Sequence, residues 1–524
     1  MSELTRRALF KLTLVAGLPP VALANDRGPI VHTVSGAVRG STEEGVLAFR
    51  GLRYAAAPVG NLRFKPPQAL TPWKGIVDAK EFGAAAVQIP DQPDMPPYEK
   101  HSEDCLFLNV WTKSLTGKRP VMVWLHGGGF SMGAAGRPTY FGDHFARDGV
   151  VLVSVNHRLN VFGYTQLPES WGPDYASSGM AGILDIVAAL KWVRENIARF
   201  GGDPSNVTIF GESGGGAKVS LLLGMPGAKG LFHKAIIESG ADLEAASRDY
   251  AQALGEALMS TLGLSAADTS GLAGVPTERI FGAQSQAIEK VSSRAPADKF
   301  LNSGFVPSRN AVDLPQGPFA PVAPAVSAHV PLLIGTNKDE ATLFMVGRKD
   351  FFSHTAADFE AAVRKAYPAR SEQVAAAIRN AFPGYSPPYL LAALSTAQMF
   401  WLNSIVLAER KTAQNAAPVY MYRMDWGTTA HNGALKAAHA MELSFVFGTY
   451  EAVRHFVGTG YGPERMASQM HPAWVAFAKT GDPNHPAIPH WPRYDLQSRS
   501  TLIFNLHSHV ENDPLSEMRR LMLD

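Results

Sequence analysis

Ser213 is the residue whose setting in this chain most clearly indicates chemistry. It is the centre of Gly211-Glu212-Ser213-Gly214-Gly215, a G-x-S-x-G string that directly follows the apolar run 207–210. Such a string is typical of a sharp strand-to-helix turn that strains the serine backbone and presents its hydroxyl as a nucleophile. Larger side chains at the two outer glycines would collide with the neighbouring strand and helix. So short a string also occurs by chance in long chains, and the other parts of an acyl-transfer site must therefore be found as well.

A second motif, upstream of the serine, offers groups that stabilise negative charge. The apolar run 121–125 ends in His126-Gly127-Gly128-Gly129-Phe130, an HGGG-type loop. Three consecutive glycines allow the backbone to approach a substrate closely and to aim N–H groups at one oxygen atom. Donors of this kind stabilise the oxyanion that forms when a serine attacks a carbonyl carbon. The two motifs together predict acyl transfer to a serine.

The acid and the base that would activate this serine have competing candidates. A histidine must remove the hydroxyl proton, and a carboxylate must orient that histidine. In hydrolases with this serine turn, the acid and then the histidine follow the serine along the chain. A buried-strand pattern leads into both Asp339 and Glu340, and the residues alone leave these two carboxylates nearly equal. The base must be found among 16 histidines; His431 and His439 are two of the nine that follow both carboxylates, whereas His126 precedes the serine and fits a role in supporting its own loop.

The pattern of apolar residues predicts a scaffold for these groups. Short apolar runs typical of buried strands alternate with helical patterns such as 182–200. The runs cover 121–125, 149–155, 207–210 and 331–334. This alternation predicts an α/β fold with a central, mostly parallel sheet covered on both faces. The stretches 245–327 and 356–416 are expected to cover the strand ends and to shape the pocket.

Composition and charge argue against several classes of function. With 46% hydrophobic and 18% charged residues, the 524-residue chain has enough apolar residues for a large globular core. Its formal net charge is +2 without a basic run, so we expect no nucleic-acid partner. We also expect no transmembrane segment, since we find no apolar run long enough to span a bilayer. Cys105 is the single cysteine, so no intramolecular disulfide forms, and its surroundings predict a buried residue rather than a nucleophile.

The first 24 residues are typical of an export signal rather than of a fold. Arg6-Arg7 is a twin arginine, an apolar stretch follows over 12–23, and Ala22-Leu23-Ala24 is an A-x-A cleavage site. The stretch is too short and too interrupted by proline to anchor the protein in a membrane. We therefore predict a Tat-type signal over 1–24, a single domain over 25–524, and a periplasmic or secreted location in a bacterium.

Several further motifs, in one order, resemble those of a known family. They lie at 49–55 with 58–64, at 103–106, at 200–208, at 474–483 and at 491–495. With the serine turn, they make the chain similar to the type-B carboxylesterases, in the carboxylesterase/cholinesterase family of α/β-hydrolases. The resemblance implies an α/β-hydrolase fold with helical insertions over the active site. It also implies a serine carboxylic-ester hydrolase that acts through an acyl-enzyme on small to medium esters and needs neither a metal nor a cofactor.

The resemblance also selects among the candidate site residues. The family places its acid at Glu340 rather than at Asp339. Its catalytic histidine corresponds to His439, which makes His431 a loop residue. The backbone donors of the oxyanion hole correspond to Gly128, Gly129 and Gly214. Relatives commonly have alanine after the serine, whereas this chain has three glycines in a row, and we expect a looser oxyanion hole for that reason.

Substrate class, partner and oligomeric state are less closely defined by the resemblance. Cholinesterases stack a quaternary ammonium on a tryptophan in the segment that corresponds to 88–102. In this chain the segment has no tryptophan and Tyr98 is its only aromatic residue, so choline esters are not expected. The same triad could serve amide or carbamate hydrolysis or acyl transfer, and a non-enzymatic adhesion relative would usually have lost the serine. A small-molecule ester is the expected partner of a monomer or dimer. Phe344 and 399–401 are candidates either for the pocket wall or for the core.

Overall fold

A large mixed sheet is the framework of the chain in the computed structural model, which describes residues 28–89, 100–265, 269–294 and 304–523. The described strands are β1 (Ile30–His32), β2 (Ala37–Arg39), β3 (Ser41–Glu43), β4 (Val46–Arg53), β5 (Ile76–Asp78), β6 (Phe107–Thr112), β7 (Arg119–Leu125), β8 (Val151–Val155), β9 (Gly202–Glu212), β10 (Lys234–Glu238), β11 (Leu332–Asn337), β12 (Val419–Met424), β13 (Ser500–Phe504) and β14 (His509–Asn512). The large sheet has the order β14-β13-β12-β11-β10-β9-β7-β8-β6-β4-β3, and β1, β2 and β5 form a small second sheet.

The centre of the large sheet is parallel. Strands β8, β7, β9, β10, β11, β12 and β13 pair in parallel, and the pairs toward the two edges are antiparallel. Parallel strands are buried on both faces and therefore read as continuous apolar runs rather than as alternating ones. β8 and β10 are buried at every residue. The predicted mostly parallel sheet is thus confirmed, and the four predicted strand runs lie in β7, β8, β9 and β11.

Helices cover both faces of this sheet. The described α-helices are α1 (Asp143–Arg147), α2 (Asn160–Tyr164), α3 (Ala181–Asn196), α4 (Gly214–Gly224), α5 (Arg248–Leu262), α6 (Thr269–Gly274), α7 (Thr277–Val291), α8 (Thr342–Met345), α9 (Ala356–Ala366), α10 (Ser371–Ala381), α11 (Pro387–Thr396), α12 (Leu402–Ala413), α13 (Leu443–Val446), α14 (Arg454–Val457), α15 (Tyr461–Thr480) and α16 (Ser516–Leu523). Side chains alternate across a strand, so Val121 and Val123 of β7 enter one apolar core, whereas Met122 and Trp124 enter the other. α3, α4, α5 and α12 contribute to the first core, and α13 and α15 to the second.

The carboxyl ends of three neighbouring strands lie side by side. Glu212 at the end of β9 pairs with Glu238 at the end of β10, and Glu238 pairs with Gly335 of β11. Ligands of open α/β sheets bind outside these strand ends. Residues that follow β9, β10 and β11 are therefore brought together at one edge of the sheet.

Two helical stretches, Pro173–Phe200 and Pro387–Ala413, are long and apolar enough to meet a membrane-span criterion. By length and composition alone, the expectation that no apolar run is long enough to span a bilayer is therefore not met. However, 78% and 67% of their most apolar windows are buried inside the structure, so we interpret both as core helices. Cys105 is buried and unpaired, as predicted, and burial raises the pKa of its thiol. The proposed signal 1–24 and Tyr98 lie outside the described residues.

Candidate active site

A strained turn between β9 and α4 holds Ser213, the single residue between these two elements. Its backbone lies at φ +55° and ψ −123°, a conformation that residues with a side chain rarely adopt. A Cβ atom on Gly211 would lie 2.5 Å from the carbonyl carbon of Gly215. A Cβ atom on Gly215 would lie 2.0 Å from the carbonyl oxygen of Leu125. The turn therefore closes only with glycine at both outer positions, as the motif predicts.

His439 and Glu340 form a buried pair. His439 Nδ1 lies 2.6 Å from Glu340 Oε2, and the backbone N–H of His439 donates to the carbonyl oxygen of Glu340 at 3.3 Å. The other carboxylate oxygen accepts from Ser239 Oγ at 2.5 Å and from the N–H of Asn337 at 2.6 Å. A buried carboxylate is costly unless donors replace its water, and these contacts supply three of them. The imidazole is thereby fixed with Nδ1 directed at the acid.

The second ring nitrogen of His439 remains available. Nε2 lies 3.1 Å from Oε1 of Glu212, the residue before the serine. Within the described chain neither atom has an aligned hydrogen-bond partner. Ser213 and His439 are only 7% and 4% exposed, so water has limited access to both. A neutral imidazole oriented in this way can accept a hydroxyl proton at Nε2.

The rival residues are directed elsewhere. The carboxylate of Asp339 accepts from Tyr385 Oη at 2.8 Å and from the N–H of Ala437 at 3.3 Å. Burial raises the pKa of Asp339, and its hydrogen bond from Tyr385 partly offsets this effect. His431 is exposed on a short turn after β12. The geometry therefore pairs the acid candidate Glu340, and not Asp339, with a histidine.

The HGGG loop lies directly against the serine turn. A Cβ atom on Gly127 would lie 3.5 Å from Cβ of Ser213. Within the described chain, the N–H groups of Gly128, Gly129 and Gly214 donate to no other residue. These are the three donors that the sequence predicts for an oxyanion, and no backbone carbonyl competes for them.

The glycine after the serine tightens this arrangement. A Cβ atom on Gly214 would lie 2.1 Å from the carbonyl oxygen of Gly129 and 2.5 Å from its Cα atom. Loop and helix thus approach more closely than an alanine would permit. The loop itself occupies the space that an alanine side chain would need, and a looser oxyanion hole stays a prediction.

Three further glutamates, which the sequence did not single out, are buried around the His439–Glu340 pair. Burial, and then the charges of Glu340 and Glu238, raise the pKa of Glu212 well above its usual range. Burial and the neighbouring carboxylates do the same for Glu442. Burial raises the pKa of Glu238 to about 8. Like charges in one buried place favour protonated carboxyls, and adjacency to Ser213 was the available signal for Glu212.

Phe344 and Phe400 form an aromatic wall beside His439. Their ring centroids lie 5.3 and 4.5 Å from the imidazole, and the two rings stack at 6.3 Å. Phe344 is 42% exposed, whereas Phe400 is buried on the π-helical segment Ala397–Trp401. Trp401 packs into the first apolar core instead. Of the sequence candidates, Phe344 and Phe400 therefore lie beside His439, whereas Trp401 belongs to the core.

Comparison with known proteins assigns this site to a family. The sequence matches the carboxylesterase family over residues 27–520. The chain belongs to this family. The para-nitrobenzyl esterase of Bacillus subtilis (strain 168) is 37% identical over 499 residues, which are 94% of this chain and 98% of that protein.

Solved carboxylesterase structures have the same fold. The carboxylesterase EST55 of Geobacillus stearothermophilus has a TM-score of 0.82 at 37% identity and covers 94% of this chain and 99% of its own. An esterase from Clostridium hathewayi that can hydrolyze aliphatic aromatic polyesters has a TM-score of 0.80 at 32% identity, over 95% of this chain and 98% of that one. The protein is a serine carboxylesterase with the α/β-hydrolase fold, and it hydrolyses carboxylic esters. Among the described residues, no group of three or more His, Cys, Asp or Glu side chains is placed to hold a metal ion.

Proposed function

We propose that this carboxylesterase cleaves small to medium carboxylic esters through a covalent acyl-enzyme on Ser213, with His439 as general base and Glu340 as the acid that orients it. The observation that carries the proposal is the 2.6 Å contact between His439 Nδ1 and Glu340, which leaves Nε2 available at a strained serine turn. The donors proposed for the oxyanion are the N–H groups of Gly128, Gly129 and Gly214.

The reaction proceeds in two steps. His439 Nε2 takes the proton of Ser213 Oγ as that oxygen bonds to the ester carbonyl carbon, and the carbonyl oxygen becomes an oxyanion. His439 then gives the proton to the alcohol oxygen as the C–O bond breaks, which leaves an acyl-enzyme. A water molecule, deprotonated by the same nitrogen, attacks the acyl carbon and releases the carboxylic acid with regeneration of the serine.

The surroundings of the serine support an apolar substrate of limited size. Ser213 is only 7% exposed, which favours a small or medium ester over a bulky one. The Phe344–Phe400 wall offers an apolar surface next to His439. The apolar wall favours a short or medium acyl chain, and the lack of a tryptophan in the segment 88–102 argues against a quaternary ammonium ester.

Hydrolysis of p-nitrophenyl esters from acetate to laurate by the full chain tests this proposal. We expect the highest kcat/KM on acetate to butyrate and loss of activity with Ser213→Ala. The corresponding anilide, p-nitroacetanilide, distinguishes ester from amide hydrolysis, and an added acceptor alcohol reveals acyl transfer. A higher kcat/KM on the anilide, or release of transfer product in place of acid, would support the amide or acyltransferase alternative.

Export is a further part of the proposal. We propose that residues 1–24 are a Tat-type signal and that 25–524 form one domain that functions in the periplasm or outside a bacterial cell. Arg6-Arg7 and the A-x-A site Ala22-Leu23-Ala24 support this reading. Fractionation of cells that express the chain, beside a variant with both arginines replaced by lysine, tests it. A wild-type chain that stays in the cytosol with an uncleaved N-terminus would contradict export.

A further inference from the structure

Lys218 is a buried cation that the proposed steps leave unused. It is the only charged residue of α4 and is fully buried. Moving an ammonium group out of water costs several kcal/mol unless other groups replace the water. Burial lowers the pKa of Lys218 to about 7, and the charge of Glu212 opposes this shift. A lysine kept in such a place requires contacts that compensate for its burial.

Those contacts are made with the oxyanion loop. Lys218 Nζ donates to the carbonyl oxygen of His126 at 2.9 Å and to that of Gly129 at 3.0 Å. These are the first and last residues of the His-Gly-Gly-Gly string. The two peptide groups that carry the N–H donors of Gly128 and Gly129 lie between the two anchored carbonyls. One side chain of the helix that follows Ser213 therefore fastens both ends of the loop.

Gly214 makes this fastening possible. It is four residues before Lys218 and so lies on the same face of α4. A Cβ atom on Gly214 would lie 2.1 Å from the same Gly129 carbonyl oxygen that Lys218 binds. The glycine thus opens the space into which this carbonyl turns, and the lysine holds the carbonyl there. The departure from alanine at 214 and the buried lysine at 218 belong to one arrangement.

We propose that Lys218 is a positioning residue of the oxyanion hole, which aims the N–H groups of Gly128 and Gly129 and places a buried positive charge behind the loop where the oxyanion forms. This inference rests on the proposed acyl transfer to Ser213. Fixed donors and charges in a water-poor site stabilise a transition-state charge more strongly than the neutral ground state. Lys218 therefore acts mainly on kcat and little on KM.

Few ionisable groups face this ammonium within the described chain. Glu212 approaches from β9, and His126 and His157 stack on each other at 4.7 Å beside it. Burial and then the charge of Lys218 lower the pKa of both histidines well below 6.5, which keeps the rings neutral near pH 7. Lys218 itself loses its charge as the pH rises through its lowered pKa. We therefore expect an alkaline fall in kcat/KM that depends on this one side chain.

Lys218→Met tests the role, because methionine keeps an unbranched stem and removes the charge. Lys411→Met is a matched control: Lys411 of α12 is buried, donates to the carbonyl oxygens of Ser327 and Ala328 at 2.6 and 2.8 Å, and has a pKa that burial lowers to about 8. The assays are p-nitrophenyl acetate hydrolysis from pH 6 to 10 and inhibition by an aliphatic trifluoromethyl ketone. That ketone adds to a nucleophilic serine and leaves a negative oxygen in the oxyanion hole.

For Lys218→Met we expect kcat/KM to fall about 10- to 100-fold, the ketone inhibition constant to rise by a similar factor, and KM to stay within about threefold. The alkaline fall in activity should disappear in this variant and persist in Lys411→Met, whose kcat should stay within about threefold of the wild type. A folded Lys218→Met protein whose kcat/KM and ketone affinity match those of Lys411→Met would overturn the inference.

Gly214→Ala keeps the inference testable if Lys218→Met does not fold. The alanine should push the Gly129 carbonyl away from Lys218 and lower kcat/KM about tenfold without raising KM, although relatives commonly have alanine there. Where Lys218→Met does fold, the same change in that background should cost less, because the two residues act on one carbonyl. Full activity of Gly214→Ala would overturn the inference. Failure of the proposed function is distinguishable, since Ser213→Ala would then retain the wild-type rate.

Discussion

Replacing Glu340 by glutamine keeps the shape of the side chain, and the surrounding hydrogen bonds determine what the new amide does. Glu340 Oε1 accepts from both Ser239 Oγ and the N–H of Asn337, so the amide oxygen of glutamine belongs at that position. The amide NH₂ then faces His439 Nδ1, which must become an acceptor. The ring proton moves to Nε2, the nitrogen that has to take the serine proton. The variant therefore holds the histidine in the wrong tautomer.

The expected loss follows from that tautomer. An acid-to-amide change of this kind lowers kcat by about 10⁴, equivalent to about 5 kcal/mol of transition-state stabilisation. Stopped-flow and steady-state hydrolysis of p-nitrophenyl acetate by Glu340→Gln measures it. Asp339→Asn is the matched control, because the neighbouring carboxylate bonds Tyr385 rather than His439, and its kcat should stay within about threefold. A folded Glu340→Gln enzyme with less than about tenfold loss, or a larger loss in Asp339→Asn, would refute the assignment of the acid.

Three other outcomes follow from the contacts of the site and core. Folded Glu238 keeps its proton up to about pH 8, whereas the unfolded chain loses it near 4.5, so wild-type stability falls with pH in this window. Measured by urea unfolding, the stability of Glu238→Gln relative to the wild type should increase by up to about 1.4 kcal/mol per pH unit between pH 5 and pH 8. The same stability difference at pH 5 and at pH 8 would contradict this. Phe344→Ala removes the exposed ring beside His439 and should raise KM more for p-nitrophenyl butyrate than for the acetate; equal changes would exclude a role in acyl binding. Asp185→Asn weakens the buried ion pair with Arg158, whose Nη2 lies 2.6 Å from the carboxylate. The change should lower the free energy of unfolding, measured by denaturant titration, by about 3–5 kcal/mol, and a loss below about 1 kcal/mol would refute this.

Local patterns predicted the elements that carry the site. The continuous apolar runs before Ser213 and before Glu340 lie in parallel strands, because strands buried on both faces must be apolar throughout. The glycines at 211 and 215 are required by close backbone approach, and the string itself displays that requirement. Such features depend on neighbours in the sequence, and so the sequence reveals them.

Features that depend on distant contacts could not be predicted in this way. Asp339 and Glu340 are adjacent after one strand, and the local pattern left them nearly equal; the family resemblance selected Glu340, and the tertiary contacts show that this carboxylate faces a histidine. The close approach of Gly129 to Gly214 was not predicted, because it depends on another segment of the chain. Lys218 was visible as a lone charge in an apolar helix, but its partners are about ninety residues away along the chain.

Trapping the nucleophile tests the central claim most directly. The full chain is treated with diisopropyl fluorophosphate and mapped by peptide mass spectrometry, beside Ser213→Ala, with p-nitrophenyl acetate hydrolysis measured on the same samples. We expect one phosphoryl group per chain on the peptide that contains Ser213, parallel loss of activity, and no label in the variant, whose kcat falls on the order of 10⁶-fold. Label on another residue, or a folded Ser213→Ala protein that hydrolyses the ester at the wild-type rate, would contradict it.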